Sequence, residues 1–230
     1  MTIAENIVEV QRKIEEAKSR SAHAASDVLL LAVTKTHPVE MIKEAADFGL
    51  RDFGENRVQE LNSKYDFFPG INWHLIGHLQ TNKVRQIIGR TVLIHSLDSI
   101  NLAEEIEKRS AAAELITNCL VQINIAEEET KSGIHEEELA DFLISMADYP
   151  HIRIQGLMTI GPHVEAAEEI RPVFAQLRKL FIREKAKNMS HLDLRYLSMG
   201  MSYDYDIAVE EGANIVRVGS SIFGARNYNL

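Results

Sequence analysis

The chain has 230 residues, 45% of them hydrophobic and 26% charged, with 34 acidic against 25 basic side chains and a formal charge of −9. An apolar fraction of that size can build a packed core, which excludes the disordered and fibrous classes. The negative balance argues against nucleic acid as a partner, because binding a phosphate backbone needs a basic face that releases counterions.

The first element in chain order is an amphipathic helix. Ile3, Ile7, Val10, Ile14 and Ala17 recur at spacings of three and four, and Thr2 with Glu5 has the spacing of a capping box. Arg12, Lys13, Glu15 and Glu16 break any signal-peptide core, and no run reaches the ~20 apolar residues of a membrane span. Val28 to Val33 is a short apolar run without alternation, the pattern of a buried parallel strand. Thr36, His37 and Pro38 follow it as the start of a helix with Pro in its first turn.

Further strands are expected at Asp52 to Gly54, Trp73 to Ile76, Val92 to His95, Cys119 to Ile125, Ile152 to Met158, Leu194 to Leu197 and Ile215 to Val218. Helical periods lie between them, such as Leu139, Phe142, Leu143 and Met146, then Ile170 through Phe181. With the Val28 run this makes about eight strand–helix units, the number that closes a (β/α)₈ barrel of roughly 250 residues. The expected fold is therefore α/β, a single TIM-like barrel over residues 1–230 with an extra N-terminal helix and no linker. An open doubly wound sheet fits less well, because the turn after the first strand, Thr34 to Pro38, contains no glycine for a phosphate fingerprint.

A barrel gathers its chemistry at the C-terminal strand ends, with phosphate groups often held after the last two strands. There the sequence reads Arg217-Val218-Gly219-Ser220-Ser221-Ile222-Phe223-Gly224, and the preceding strand ends Ser198-Met199-Gly200-Met201-Ser202. Each glycine permits close backbone approach, and the hydroxyls and free amides suit an anion. Lys35 emerges at the same rim. An amine facing a phosphate site suits imine formation with a phosphorylated aldehyde or ketone, of which pyridoxal 5′-phosphate is the commonest as a cofactor.

Several blocks together carry a family resemblance. Ala32-Val33-Thr34-Lys35, Phe53-Gly54-Glu55-Asn56-Arg57 to Gln59-Glu60, His74 to Lys83, Ser198 to Ser202 with Asp204, and Arg217 to Gly224 resemble the pyridoxal phosphate homeostasis protein family, in order from the first strand onward. The resemblance implies a barrel like the N-terminal domain of alanine racemase, with the cofactor held as an internal aldimine on Lys35. It implies further that Ser198, Gly219 and Ser220 hold the phosphate, that Arg217 faces the pyridine nitrogen, and that Asn56 lies near the ring. An arginine there stays protonated and disfavours the pyridinium form, weakening the ring as an electron sink.

The expected function is thus a non-catalytic carrier that holds pyridoxal phosphate and passes it to apo-enzymes. Racemases of this fold add a β-domain and a partner-subunit tyrosine, whereas this chain ends at Leu230, soon after the phosphate loop; the expected state is a monomer. The enzyme alternatives are a weak racemase using Lys35 and a tyrosine, and a cofactor-free aldolase using Lys35 alone. Tyr203 and Tyr205 lie near the phosphate loop, but an ordinary tyrosine pKa near 10 makes either a poor acid or base. His74 and His78 have metal spacing only on a helix, and Gly77 in a strand context argues against a site. The acidic runs Glu127 to Glu129 and Glu136 to Glu138 read as solvated, the second also complementing a helix start. Lone Cys119 sits in an apolar run as an inert thiol, pointing to a reducing, cytoplasmic setting.

Overall fold

The computed structural model describes residues 1–126, 132–162 and 164–224. The acidic run at Glu127 to Glu129 lies outside the described residues. Eight parallel strands form a closed barrel in sequence order: β1 (Leu29–Val33), β2 (Asp52–Glu55), β3 (Asn72–Leu75), β4 (Leu93–Leu97), β5 (Thr117–Gln122), β6 (Ile152–Met158), β7 (Leu192–Met201) and β8 (Ile215–Val218). Closure comes from β8 pairing β1 in register from Leu29↔Ile215 to Ala32↔Val218.

Around the strands run α1 (Ile3–Arg20), α2 (Val39–Phe48), α3 (Val58–Tyr65), α4 (Ile100–Ala112), α5 (Leu139–Ser145), α6 (Arg171–Ala186), α7 (Tyr205–Glu210) and α8 (Ser220–Phe223). The capping box read from Thr2 and Glu5 is present: the Glu5 amide donates to Thr2 Oγ1 at 3.2 Å and the Thr2 amide to Glu5 at 2.8 Å. The periodic face of α1, Ile7, Val10, Ile14 and Ala17, is buried. Asn6 Nδ2 donates to the Ile222 carbonyl at 2.8 Å, fastening α1 to α8.

Pro38 caps α2 from outside its first turn, one residue earlier than its spacing suggested. The Cys119 to Ile125 run outlasts its strand: β5 begins at Thr117 and stops at Gln122, and Ile123 donates its amide to the Met158 carbonyl and otherwise forms an isolated bridge with Ile134. In contrast, β7 is longer than its apolar signal and continues through Gly200, whose φ of 87° permits an irregular register against β8.

Alternation divides the barrel into two layers. Leu31, Val33, Leu93, Leu120, Met158 and Ile215 fill the inside. Their neighbours in sequence, among them Ala32, Ile94, Cys119, Val121, Leu157 and Val216, pack outward under the helices. Burial pushes the Cys119 thiol well up, so it stays protonated.

Candidate functional site

Lys35 follows β1 by two residues and is half-buried. Its loop is unusually constrained. Thr36, a β-branched residue, takes φ of 68°, a left-handed conformation that costs roughly 1–3 kcal/mol unless its surroundings impose it. The Thr36 amide donates to the Glu60 carboxylate at 2.6 Å. Lys64 then ties the loop together, donating to Glu60 at 2.7 Å, to Glu55 at 2.8 Å and to the Thr34 carbonyl at 2.9 Å. Thr34 donates its hydroxyl to the same Glu55 oxygen at 2.6 Å. Burial raises the Glu55 carboxyl while Lys64 pulls it down. Glu55 and Glu60 belong to the motif block quoted above; their work is to hold the loop that carries Lys35.

The neighbouring strand ends bring the other predicted residues to this rim. On one side β2 pairs β1 through Val33↔Gly54, so Asn56, half-buried, follows β2 beside Lys35. A Cβ on Gly77 would lie 2.8 Å from Asn56 Cα, so only glycine there lets the backbones meet. On the other side β8 leads into Gly219, where a Cβ would stand 3.2 Å from the Val33 carbonyl oxygen. Gly219 therefore lies directly against the end of β1, two residues before Lys35, and Ser220 follows it in the chain.

The anion cradle is built by Ser202 rather than by strand residues alone. The amides of Gly219 and Ser221 donate to Ser202 Oγ at 3.0 and 3.4 Å, so two N–H groups converge on one oxygen. A cavity of about 520 Å³ adjoins this point, lined by Ser202, Tyr205, Ser220 and Ser221 on one wall and by Asn6 and Lys13 of α1 on the other. With its oxygen accepting both amides, Ser202 keeps its hydroxyl proton to donate, and that donor beside the close-packed Gly219 fits a phosphate group. Upstream, the Asp204 carboxylate accepts from the Met201 amide at 2.6 Å and fixes the turn.

Ser198 and Arg217 lie deeper, inside the barrel. Arg217 is almost wholly buried, donating to Ser198 Oγ and to the Thr159 carbonyl, both at 2.8 Å. Burial pulls its pKa down to about 10, opposed by Asp204, so it remains a cation at neutral pH. Ser198 Oγ is also 3.0 Å from His95 Nδ1, so its hydroxyl is occupied by side-chain partners below the cradle.

Burial pushes the Tyr205 hydroxyl up to about 12, while Tyr203 is exposed and donates to the Glu165 carbonyl at 2.7 Å. His74 points at His95 inside the barrel, whereas His78 faces Asp98 near the surface; the two rings diverge.

Residues 6–227 match the family described as alanine racemase, N-terminal domain. A pyridoxal phosphate homeostasis protein of Aquifex aeolicus is 42% identical over 230 residues, covering 99% of this chain and 100% of the relative. The chain belongs to the pyridoxal phosphate homeostasis protein family. Among solved structures similar to this member of the family is PipY of Synechococcus elongatus with pyridoxal phosphate bound, with a TM-score of 0.83 and 34% identity over 97% of this chain and 100% of that one. Alanine racemase of Corynebacterium glutamicum shares the fold, with a TM-score of 0.70 at 16% identity, matching 99% of this chain and 62% of its own length.

Proposed function

We propose that this protein binds pyridoxal 5′-phosphate and serves its intracellular homeostasis. The observation that carries the reading is the β1–β8 seam, which sets a strand-end amine, Lys35, beside an anion cradle at Gly219. When bound, the cofactor supplies an aldehyde that a primary amine takes up with loss of water. In this reading Lys35 is that amine, and Ser202, Gly219, Ser220 and Ser221 take the phosphate. Ser198 then serves by holding Arg217 rather than by touching the phosphate itself, and Asn56 borders the ring.

Arg217 faces the pyridine nitrogen in the same reading, where its fixed positive charge keeps that nitrogen unprotonated. A carrier rather than a catalyst is favoured by this cation and by Tyr205, whose hydroxyl burial shifts away from neutral pH. The receivers of the cofactor would be apo-enzymes that use it, and the setting cytoplasmic. No helix among the described residues is long and apolar enough to cross a membrane.

The test is an absorption spectrum on adding pyridoxal phosphate, followed by borohydride trapping and peptide mapping. Label on Lys35 is expected. A saturated, folded protein with Lys35 unlabelled overturns the assignment, and deuterium washout from the α-carbon of alanine well above the free-cofactor rate overturns the carrier reading.

A further inference from the structure

A line of polar side chains runs through the inside of the barrel, among apolar neighbours, and the site described above uses only its upper end. Below Arg217 and Ser198 lies fully buried His95 of β4, whose Nε2 is 3.0 Å from His74 Nδ1 on β3. His74 Nε2 is in turn 3.2 Å from Asp52 Oδ1 on β2. Asp52 is at the opposite end of the barrel from Lys35, beside a cavity of about 330 Å³ that Arg195 and Tyr196 of β7 also line.

The chemistry of the two ends fixes every proton between them. Guanidinium has no acceptor, so Ser198 Oγ must accept from Arg217 and is left to donate its own proton to His95 Nδ1. A carboxylate has no donor, so His74 must carry its proton on Nε2 and offer Nδ1 as acceptor, which requires a proton on His95 Nε2. Both ends therefore demand the same arrangement: two neutral imidazoles, each protonated on Nε2.

An added proton has no place in this arrangement. On His74 Nδ1 it would face the His95 Nε2 proton, and His95 could yield only by turning its Nδ1 into a donor toward Ser198, whose displaced proton finds no acceptor on Arg217. The groups facing His95 are His74 from β3, Ser198 from β7 and Arg217 from β8; those facing His74 are Asp52 from β2 and His95. Burial above all holds His95 well below the ordinary histidine range, and the Arg217 cation adds to it.

We infer that His95 and His74 are positioning residues, forming with Asp52 a one-way hydrogen-bond chain that fixes Ser198 as acceptor and so holds the Arg217 guanidinium at the cofactor's ring nitrogen. The ring-facing half of this inference rests on the reading given under Proposed function; the chain itself does not. Polar side chains that merely fill the barrel would leave the guanidinium where it is when one of them is removed.

Two measurements test it. In the cofactor-free protein, two-bond ¹⁵N–¹H spectra of labelled histidine should show His74 and His95 neutral and protonated on Nε2 near pH 7; either ring cationic, or protonated on Nδ1, overturns the chain. In protein loaded with ring-¹⁵N pyridoxal phosphate, the nitrogen resonance should be flat from about pH 6 to 9. It should titrate inside that window in His95→Leu and Ser198→Ala, and be restored by His95→Asn, whose amide oxygen can accept from Ser198. A flat resonance in folded His95→Leu and Ser198→Ala overturns the positioning role. A protein that does not bind pyridoxal phosphate at all overturns the functional reading instead, while the histidine spectra still decide the chain.

Discussion

Single side chains divide between those a sequence exposes and those it conceals. Lys35 was legible because a cation after a buried run must surface at a strand end, and Gly219 with Ser220 because a glycine–hydroxyl pair ends the final strand. Which serine reaches the cradle was not legible: Ser198 and Ser202 differ only by where β7 stops, and that strand runs on through Gly200 to Met201. In the proposed site Ser220→Ala lowers retention of pyridoxal phosphate by about 1 kcal/mol, one hydrogen bond among several, read by equilibrium dialysis. Ser202→Ala should weaken it more, since in this reading the phosphate loses a hydroxyl donor and the Gly219 and Ser221 amides lose the oxygen that orients them. The buried histidines also carried a faint sign, as polar residues inside apolar strand runs, and their consequence is measurable. The unfolded chain takes up a proton below about pH 6.5 that His95 in the folded chain refuses. Unfolding free energy should therefore fall by about 1.4 kcal/mol per pH unit below that point, and His95→Leu should remove this part of the slope in urea titrations.

Among elements, the short loop from Thr34 to Pro38 illustrates how tertiary contacts override local preference. Nothing in its sequence predicts a left-handed threonine; the conformation is imposed from α3 by Lys64 and Glu60 and from β2 by Glu55. Lys64→Met would leave Glu55 buried without its cation and free the loop. The expected cost is roughly 3–5 kcal/mol in denaturant unfolding, with slower borohydride labelling of Lys35 in the protein that remains folded. The strands whose ends the sequence located best, β6 and β8, are bounded by clear changes in polarity. β5 was misplaced because Ile123 and Ile125 extend its apolar run beyond the strand's last residue, Gln122, a continuity that composition alone cannot break.

For the whole molecule, the eightfold alternation of strand and helix was enough to foresee a closed barrel, whereas the role of α1 was not apparent from its amphipathic face. That helix is fastened at both ends to late elements: Asn6 to Ile222 at 2.8 Å, and Arg20 to Glu210 at 2.6 Å. Amides of Val10 and Ile14 should therefore exchange with the same denaturant dependence as those of Ala32 and Val218 in native-state hydrogen exchange. Faster, independent exchange in α1 would make it a detachable appendage.

The β1–β8 pairing also orders events in time. Lys35 is translated early, while the amides and hydroxyl that would grip an anion come some 170–185 residues later. On the ribosome the amine thus emerges long before its counterpart, and a reactive aldehyde meeting it then would find no grip. Secure capture awaits the moment the last strand zips onto the first, so in the proposed reading a half-made polypeptide cannot withdraw the vitamer from the cell's supply.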